Sequence, residues 1–117
     1  MATVNPSKNG PISTANVVNW DGIATGDTIN AYAIPEEFGA IGCVQISGTF
    51  GGATVTVEVS NDGTTWFGLK DLQGTALSAT ANAFADFTCA AIYMRPAISG
   101  GTGDSVNVRV VFRGWRG

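Results

Sequence analysis

The sequence predicts an all-β protein, an antiparallel β-sandwich or barrel of about eight strands. Apolar and polar residues alternate with a period of two in several short segments, as they do in strands with one buried face. Turn sequences such as NDG, LQGT and SGGTGD separate these segments. No segment has the apolar period of about 3.6 residues that is typical of an amphipathic helix. Short strands between glycine-rich turns are typical of sandwiches and barrels.

The alternation is clearest in residues 53–60, ATVTVEVS, and in residues 105–112, SVNVRVVF. In both segments every second residue is apolar, so one face of each strand is expected to be buried. Pro96 predicts an edge position or a bulge, because proline cannot donate to a sheet ladder. The predicted strands cover residues 14–20, 27–34, 41–50, 53–60, 64–70, 82–89, 91–99 and 105–112. The predicted core consists of Val44, Ile46, Val55, Val57, Val59, Val106, Val108, Val110 and Phe112.

The chain of 117 residues is long enough for a single domain with its own core. Residues 1–13 contain Pro6, Gly10 and Pro11 and are predicted to form an N-terminal arm. Such an arm is either disordered or held by a neighbour. Residues 14–117 are predicted to form one β-sandwich domain.

Charged residues make up only 13% of the chain, compared with about 25% in typical soluble domains. The outer faces must therefore consist largely of Thr, Ser, Asn, Ala and Gly. Such a surface suits a protein that packs against copies of itself or other subunits, and a secreted β-domain is the alternative. The net charge of −3 and the six scattered basic residues argue against nucleic acid as a partner.

The residues after Met1 are polar and lack the apolar core of a signal peptide. No apolar run approaches the length of about 20 residues that a membrane helix needs. We therefore expect a soluble protein that is made in a cytoplasm and has no membrane partner. Cys43 and Cys89 are then expected to be free thiols that folding does not require. The chain has no histidine and no CxxC pair, so we expect no zinc site, haem or other cofactor.

We expect no enzymatic activity. The absence of histidine removes the usual general base and the nucleophile triads that depend on it. Most carboxylates fall in turns, where no apolar surroundings would raise their pKa. Asp62, Asp71 and Asp104 could supply oxygen ligands to calcium. Aspartates in turns normally accept hydrogen bonds from their own backbone, however, so no metal site is predicted.

The stretch EVSNDGTTWFGL, residues 58–69, predicts a hairpin. Asn61, Asp62 and Gly63 are residues that tolerate the positive φ of hairpin turns, and Gly63 is expected to adopt it. Trp66 would then lie on the returning strand and cover the sheet. The same string resembles the hairpin of discoidin-like sandwiches that bind sugars and lipids.

Residues 39–113 resemble a group of short structural proteins from tailed phages. In that group a strand leads to Gly-Thr-Phe-Gly-Gly-Ala, followed by the Ser-Asn-Asp-Gly hairpin, a Lys-Asp-x-x-Gly turn, a Tyr-x-Arg-Pro strand and a final valine-rich strand. The matching segments here are residues 48–53, 60–66, 70–74 and 93–96. The resemblance implies a virion component on the capsid surface, either a capsid decoration or cement protein or the base of a head fibre. The implied partner is the major capsid protein.

The C-terminal segment is the predicted contact site. If Val110 faces the core, Val111 faces outward near Trp115, and exposed apolar patches usually mark contacts. Arginine and tryptophan are also enriched at interface hot spots. We therefore predict a homo-oligomer, a trimer on a local or true threefold axis of the capsid. The predicted contact residues for the oligomer or the shell are Val111, Arg113, Trp115 and Arg116.

Two alternatives remain open at the level of sequence. Trp115 could instead fold back over the edge of its own sheet. The protein could also be a carbohydrate-binding or surface-binding sandwich, for example in a fibre. In that case several aromatic side chains should line one exposed groove, and the candidates are Trp20, Tyr32, Trp66, Tyr93 and Trp115.

Overall fold

A computed structural model describes residues 2–8, 15–34 and 38–115, which form twelve strands and no helix. Within these ranges there is therefore no helix that could cross a membrane. The strands are β1 Thr3–Val4, β2 Ser7–Lys8, β3 Ala15–Ile23, β4 Thr28–Ile29, β5 Tyr32–Ala33, β6 Phe38–Thr49, β7 Thr54–Ser60, β8 Phe67–Gly68, β9 Ser78–Ala79, β10 Ala83–Thr88, β11 Tyr93–Ser99 and β12 Ser105–Trp115.

Two five-stranded antiparallel sheets pack face to face, which confirms the predicted all-β sandwich. The first sheet has the strand order β10-β6-β12-β3-β2. The second sheet has the order β5-β11-β7-β8, and β9 also pairs with β7. The short strands β1 and β4 form a separate parallel pair. The inner faces of the two sheets supply one continuous core.

Eight of the nine predicted core residues are buried. The exception is Val59, which is half-buried and packs against the core from one end of β7. Three of the largest buried side chains were not predicted, namely Trp20, Phe87 and Met94. The indole nitrogen Nε1 of Trp20 donates to the carbonyl oxygen of Asn30 at 2.9 Å, so its one polar group is satisfied inside the sandwich.

Each of the eight predicted segments contains strand, but two of them contain only strands of two residues. Residues 27–34 divide into β4 and β5, which pair with different partners. Residues 64–70 contain only the two-residue strand β8. The backbone N–H groups of Thr64 and Thr65 donate to the Asp62 carboxylate instead of a sheet ladder. Strands β1, β2 and β9 were not predicted, because two residues are too few for a period-two pattern.

The described part of the predicted N-terminal arm is attached to the domain. Strand β1 pairs with β4, and β2 pairs with the outer side of β3. The backbone N–H of Ala2 also donates to Oδ1 of Asp27 at 3.0 Å. The remaining arm residues, 1 and 9–13, lie outside the described ranges.

Pro96 lies at a sheet edge, as its sequence predicts. Strand β11 pairs with β7 along its whole length, whereas β5 pairs only with Tyr93 and Met94. Beyond these two residues the other side of β11 is open in the part of the chain that the structure describes. Proline is tolerated there because no ladder needs its missing N–H group.

Substitution of Val57 tests the packing of the two sheets. Val57 is 1% exposed and lies opposite Pro96 in the register of β7 and β11. We expect Val57→Ala to lower the free energy of unfolding by about 1–3 kcal/mol, through lost burial and a cavity. Val57→Asp should abolish folding, because it buries an unpaired charge. Urea denaturation measures both effects, with Ser78→Ala on the exposed face of β9 as a near-neutral control. A soluble Val57→Asp protein with native-like melting would contradict the strand assignment.

Candidate interaction surfaces

The outer face of the first sheet carries an apolar patch. Val111 on β12 lies between Val17 on β3 and Cys43 on β6 in the sheet register. Ile41, two residues before Cys43, is 56% exposed. Phe84 on the edge strand β10 lies diagonally across from Cys43 and is 65% exposed. We call Ile41, Cys43, Phe84 and Val111 the outer apolar face.

Charged residues of both signs border the outer apolar face. Asp86 lies opposite Cys43, and Arg113 lies opposite Ile41. Burial raises the pKa of the Cys43 thiol, and the Asp86 carboxylate raises this pKa further, while Arg113 opposes the rise. Cys43 is therefore a protonated, half-buried thiol at neutral pH. Cys43 and Cys89 are both free in the structure.

The structure places two of the four predicted contact residues on this face. Val111 is half-buried and Arg113 is exposed. The main chain of Trp115 pairs with Phe38 beyond a register shift. The side chain of Trp115 and the whole of Arg116 lie outside the described part of the structure.

The sequence analysis did not identify Ile41 and Phe84, the most exposed members of the outer apolar face. The alternation of apolar and polar residues in β6 predicted that Cys43 and Gln45 face outward. Ile41 lies two residues before Cys43, so the same alternation also directs it outward. For β10 no such signal exists, because Phe84 and Phe87 lie on opposite faces of one short strand. Either phenylalanine could have been the buried one.

The Ser-Asn-Asp-Gly segment forms a tight loop between β7 and β8. Oδ1 of Asp62 accepts hydrogen bonds from the backbone N–H groups of Thr64 and Thr65, both at 2.8 Å, and from the hydroxyl of Ser60 at 2.9 Å. These bonds stabilise the ionised carboxylate and lower the pKa of Asp62 to about 2, with the backbone N–H groups contributing most. Gly63 has a φ of 77°, which confirms the predicted positive value.

The loop lies over the outer face of the second sheet. Gly63 sits above the ring of Tyr93, which would lie 3.6 Å from a Cβ atom at this position. The guanidinium of Arg95 lies 4.0 Å from the ring centroid of Trp66, and Nε of Arg95 contacts Oε1 of Glu58 at 3.1 Å. Trp66 is half-buried and thus covers the sheet as predicted, but it does so on the outer face.

The five candidate aromatic residues do not form a single groove within the described structure. Trp20 is fully buried in the core, and Tyr32 stacks on Phe112 with ring centroids 6.1 Å apart. Trp66 and Tyr93 lie together on the outer face of the second sheet, beneath the hairpin loop. The side chain of Trp115 lies outside the described part of the structure. An aromatic groove for sugars therefore has no support from these residues.

The other turn aspartates also accept hydrogen bonds from nearby groups. Oδ1 of Asp71 accepts from the backbone N–H groups of Gln73 and Thr75, as predicted for a turn residue. Asp104 instead accepts from the hydroxyl and N–H of Thr25 in another loop, at 2.7 and 2.9 Å, and these bonds lower its pKa. Among the described residues, no three acidic or cysteine side chains gather in a position to hold a metal ion.

Two of the pockets that described residues form lie beside the second sheet. One, of about 250 Å³, lies beside the hairpin loop and is lined by Val59, Asp62, Phe67 and Ala91, among others. The other, of about 280 Å³, lies at the open edge of β11. The first combines the apolar side chains of Val59, Phe67 and Ala91 with polar residues of the loop, and the second contains the Arg95–Glu58 ion pair.

The chain matches no protein-family model and no curated protein. Its fold is similar to that of the SPBc2 prophage-derived protein YomS, with a TM-score of 0.62 and 16% identity over 91% of this chain and 100% of that one. It is also similar to part of IMPa from Pseudomonas aeruginosa, with a TM-score of 0.50 and 13% identity over 92% of this chain and 13% of that one. A cupin domain from Bordetella pertussis gives a TM-score of 0.46 and 11% identity over 97% and 96% of the two chains. At these identities the likenesses to YomS and to part of IMPa show a shared fold and nothing further.

Substitution of Gly63 tests the loop conformation. We expect Gly63→Val to lower the free energy of unfolding by about 1 kcal/mol or more, because a β-branched residue is strained at a φ of 77°. Gly68→Val is the matched control, since a Cβ atom at Gly68 has no neighbour within 4 Å and Gly68 lacks a positive φ. Equal stability of the two variants in urea denaturation would show that the loop adopts another conformation.

The stability of the protein should fall in acid as Asp62 and Asp104 become protonated. Both carboxylates have a lower pKa in the folded protein than in the unfolded chain, where the value is about 3.9. The contribution of each carboxylate is therefore present above about pH 4 and is lost as the pH falls through its folded pKa, which is about 2 for Asp62. Between about pH 4 and about pH 2 the melting temperature of Asp62→Asn should fall less than that of wild type. Parallel curves for the two proteins would contradict the assigned role of the carboxylate.

Proposed function

We propose that the chain is a structural protein of a tailed-phage virion, a capsid decoration or cement protein that binds the head shell and stabilises it. The partners in this proposal are the major capsid protein and further copies of the chain, arranged as a trimer on a threefold axis. The protein acts by binding on the capsid surface, and the proposal contains no catalytic step, cofactor, nucleic acid or membrane.

The outer apolar face is the observation that carries the proposal. Ile41 and Phe84 expose 56% and 65% of their surface on a sheet whose other outward residues are mostly small or polar. Clustered apolar side chains on the surface of a small soluble domain usually mark a contact with another protein. The half-buried Cys43 and Val111 join these residues into one continuous strip across β10, β6 and β12.

The charged residues at the border of the outer apolar face would orient a bound partner. Asp86 lies on the β10 side of the outer apolar face, and Arg113 lies towards the C-terminal end of β12. Opposite charges beside an apolar centre select the orientation of a partner more than they add affinity. The low overall charge of the chain, 13% of its residues, also limits electrostatic repulsion between closely packed copies.

Two further observations support a phage virion component. Residues 39–113 resemble short tailed-phage structural proteins in the order and spacing of their turn motifs. The whole domain shares its fold with a prophage-derived protein of which it covers 100%. Because fold alone does not define function, the assignment to the capsid depends on the binding experiment.

We expect the protein to form trimers in light scattering and to cosediment with capsids of the phage that encodes it. Phe84→Ser and Trp115→Ala should each weaken capsid binding or self-association by at least about tenfold, if these side chains lie in the contact. Phe67→Ser is the matched control for Phe84→Ser, because Phe67 is 64% exposed but belongs to the second sheet.

Circular dichroism should show unchanged β-structure in all three variants. A wild-type protein that stays monomeric at high concentration and never cosediments with capsids would contradict the proposed function. An equal effect of Phe67→Ser and Phe84→Ser would move the contact away from the outer apolar face.

A further inference from the structure

The pocket at the open edge of the second sheet has the composition of a ligand site. It lies between β4 and β11 and has a volume of about 280 Å³, near the lower end of the range of about 300–1,000 Å³ for small-molecule pockets. A ligand of one ring would fill it. Its lining includes Asp27, Ile29, Glu58, Arg95, Ala97 and Ile98.

Arg95 supplies hydrogen-bond donors in a fixed orientation. Its Nε group contacts Glu58 at 3.1 Å, and its guanidinium stacks on Trp66 at 4.0 Å. Both contacts hold the guanidinium plane, while the two Nη groups make no hydrogen bond to any residue in the described ranges. The side chain of Arg95 is 34% exposed, so a ligand can reach these donors. Donors that are already oriented reduce the entropy cost of binding.

Beside Arg95, the lining supplies carboxylate acceptors, the Thr28 hydroxyl and apolar carbons. Glu58 uses one carboxylate oxygen for Arg95, and Asp27 accepts from the backbone of Ala2 and Ala24 with one oxygen each. Both carboxylates keep acceptor capacity, because each oxygen has two lone pairs. Ile29, Pro96 and Ile98 add apolar surface next to these polar groups.

This combination matches a sugar ring, which has hydroxyl groups at its edges and apolar C–H groups on its faces. Two carboxylates and one guanidinium give the pocket a net negative charge, which disfavours an anionic ligand. We propose that the pocket binds one neutral saccharide unit of a glycan, with Arg95 and Glu58 bonding to its hydroxyl groups. The site lies on the second sheet, so it is independent of the contact proposed for the outer apolar face.

Titration of the ¹⁵N-labelled full chain with D-glucose, D-galactose, D-mannose and N-acetyl-D-glucosamine tests this site. For a ligand of this size we expect a dissociation constant of about 1–10 mM with at least one of the four sugars. The amide resonances of residues 27–29 and 95–98 should shift, together with the Nε resonance of Arg95. Those of the outer apolar face should stay constant.

Arg95→Lys should weaken the binding by at least about tenfold, because lysine lacks the planar donor fork. Arg109→Lys is the matched control: the Nε group of Arg109 donates to Oδ1 of Asn19 at 2.6 Å, on the outer face of the first sheet. Ala97→Leu fills the pocket without removing the ion pair and should also abolish binding. It serves as the second variant if Arg95→Lys is unfolded by circular dichroism.

Three results would overturn the proposal. The first is the absence of any shift with all four sugars at concentrations well above the expected dissociation constant. The second is unchanged binding by folded Arg95→Lys and Ala97→Leu proteins. The third is tighter binding of the anionic sugar N-acetylneuraminate, titrated in the same way as a comparison, than of every neutral sugar.

Discussion

The pairing of β12 with both β3 and β6 is the constraint on which the rest of the structure depends. Val106, Val108, Val110 and Phe112 of this central strand are buried, and they meet the second sheet across the core. A shift of one residue in register would expose all four side chains, so burial holds the strand in a single alignment. The same alignment directs Arg109, Val111 and Arg113 to the outer face. The candidate contact surface is therefore a direct consequence of how the core is packed.

The two outer faces of the sandwich have different chemistry. The first sheet presents an apolar strip bordered by Asp86 and Arg113. The second sheet presents a polar arrangement in which Arg95 lies between Glu58 and Trp66. An apolar strip favours a broad contact with another protein, whereas oriented polar groups beside a pocket favour a small hydroxylated ligand. One domain can thus present two separate candidate binding surfaces.

The hairpin loop connects the turn chemistry of the sequence to the second surface. The Asp62 carboxylate accepts hydrogen bonds from the backbone N–H groups of Thr64 and Thr65. These groups therefore do not pair in a longer β8, and the chain stays in a tight loop. Gly63 can then lie close to the ring of Tyr93, and Trp66 reaches the guanidinium of Arg95. Arg95 also bonds to Glu58 on the neighbouring strand, so the guanidinium that Trp66 contacts is fixed on the sheet. The segment that the sequence predicts as a hairpin thus also places Trp66 against Arg95, a candidate ligand-binding group.

The fold class, the position of each long strand, eight buried core residues, the positive φ of Gly63 and the outward direction of Val111 could all be predicted from the sequence. Each of these depends on local backbone preference or on period-two alternation, which neighbouring residues encode. The sequence did not show that residues 27–34 divide between two partners, or that Ile41 and Phe84 from distant segments share one face. Nor did it show that Trp66 stacks on Arg95 outside the core. These features depend on which strands become neighbours, and that choice is made by long-range burial that no local pattern contains.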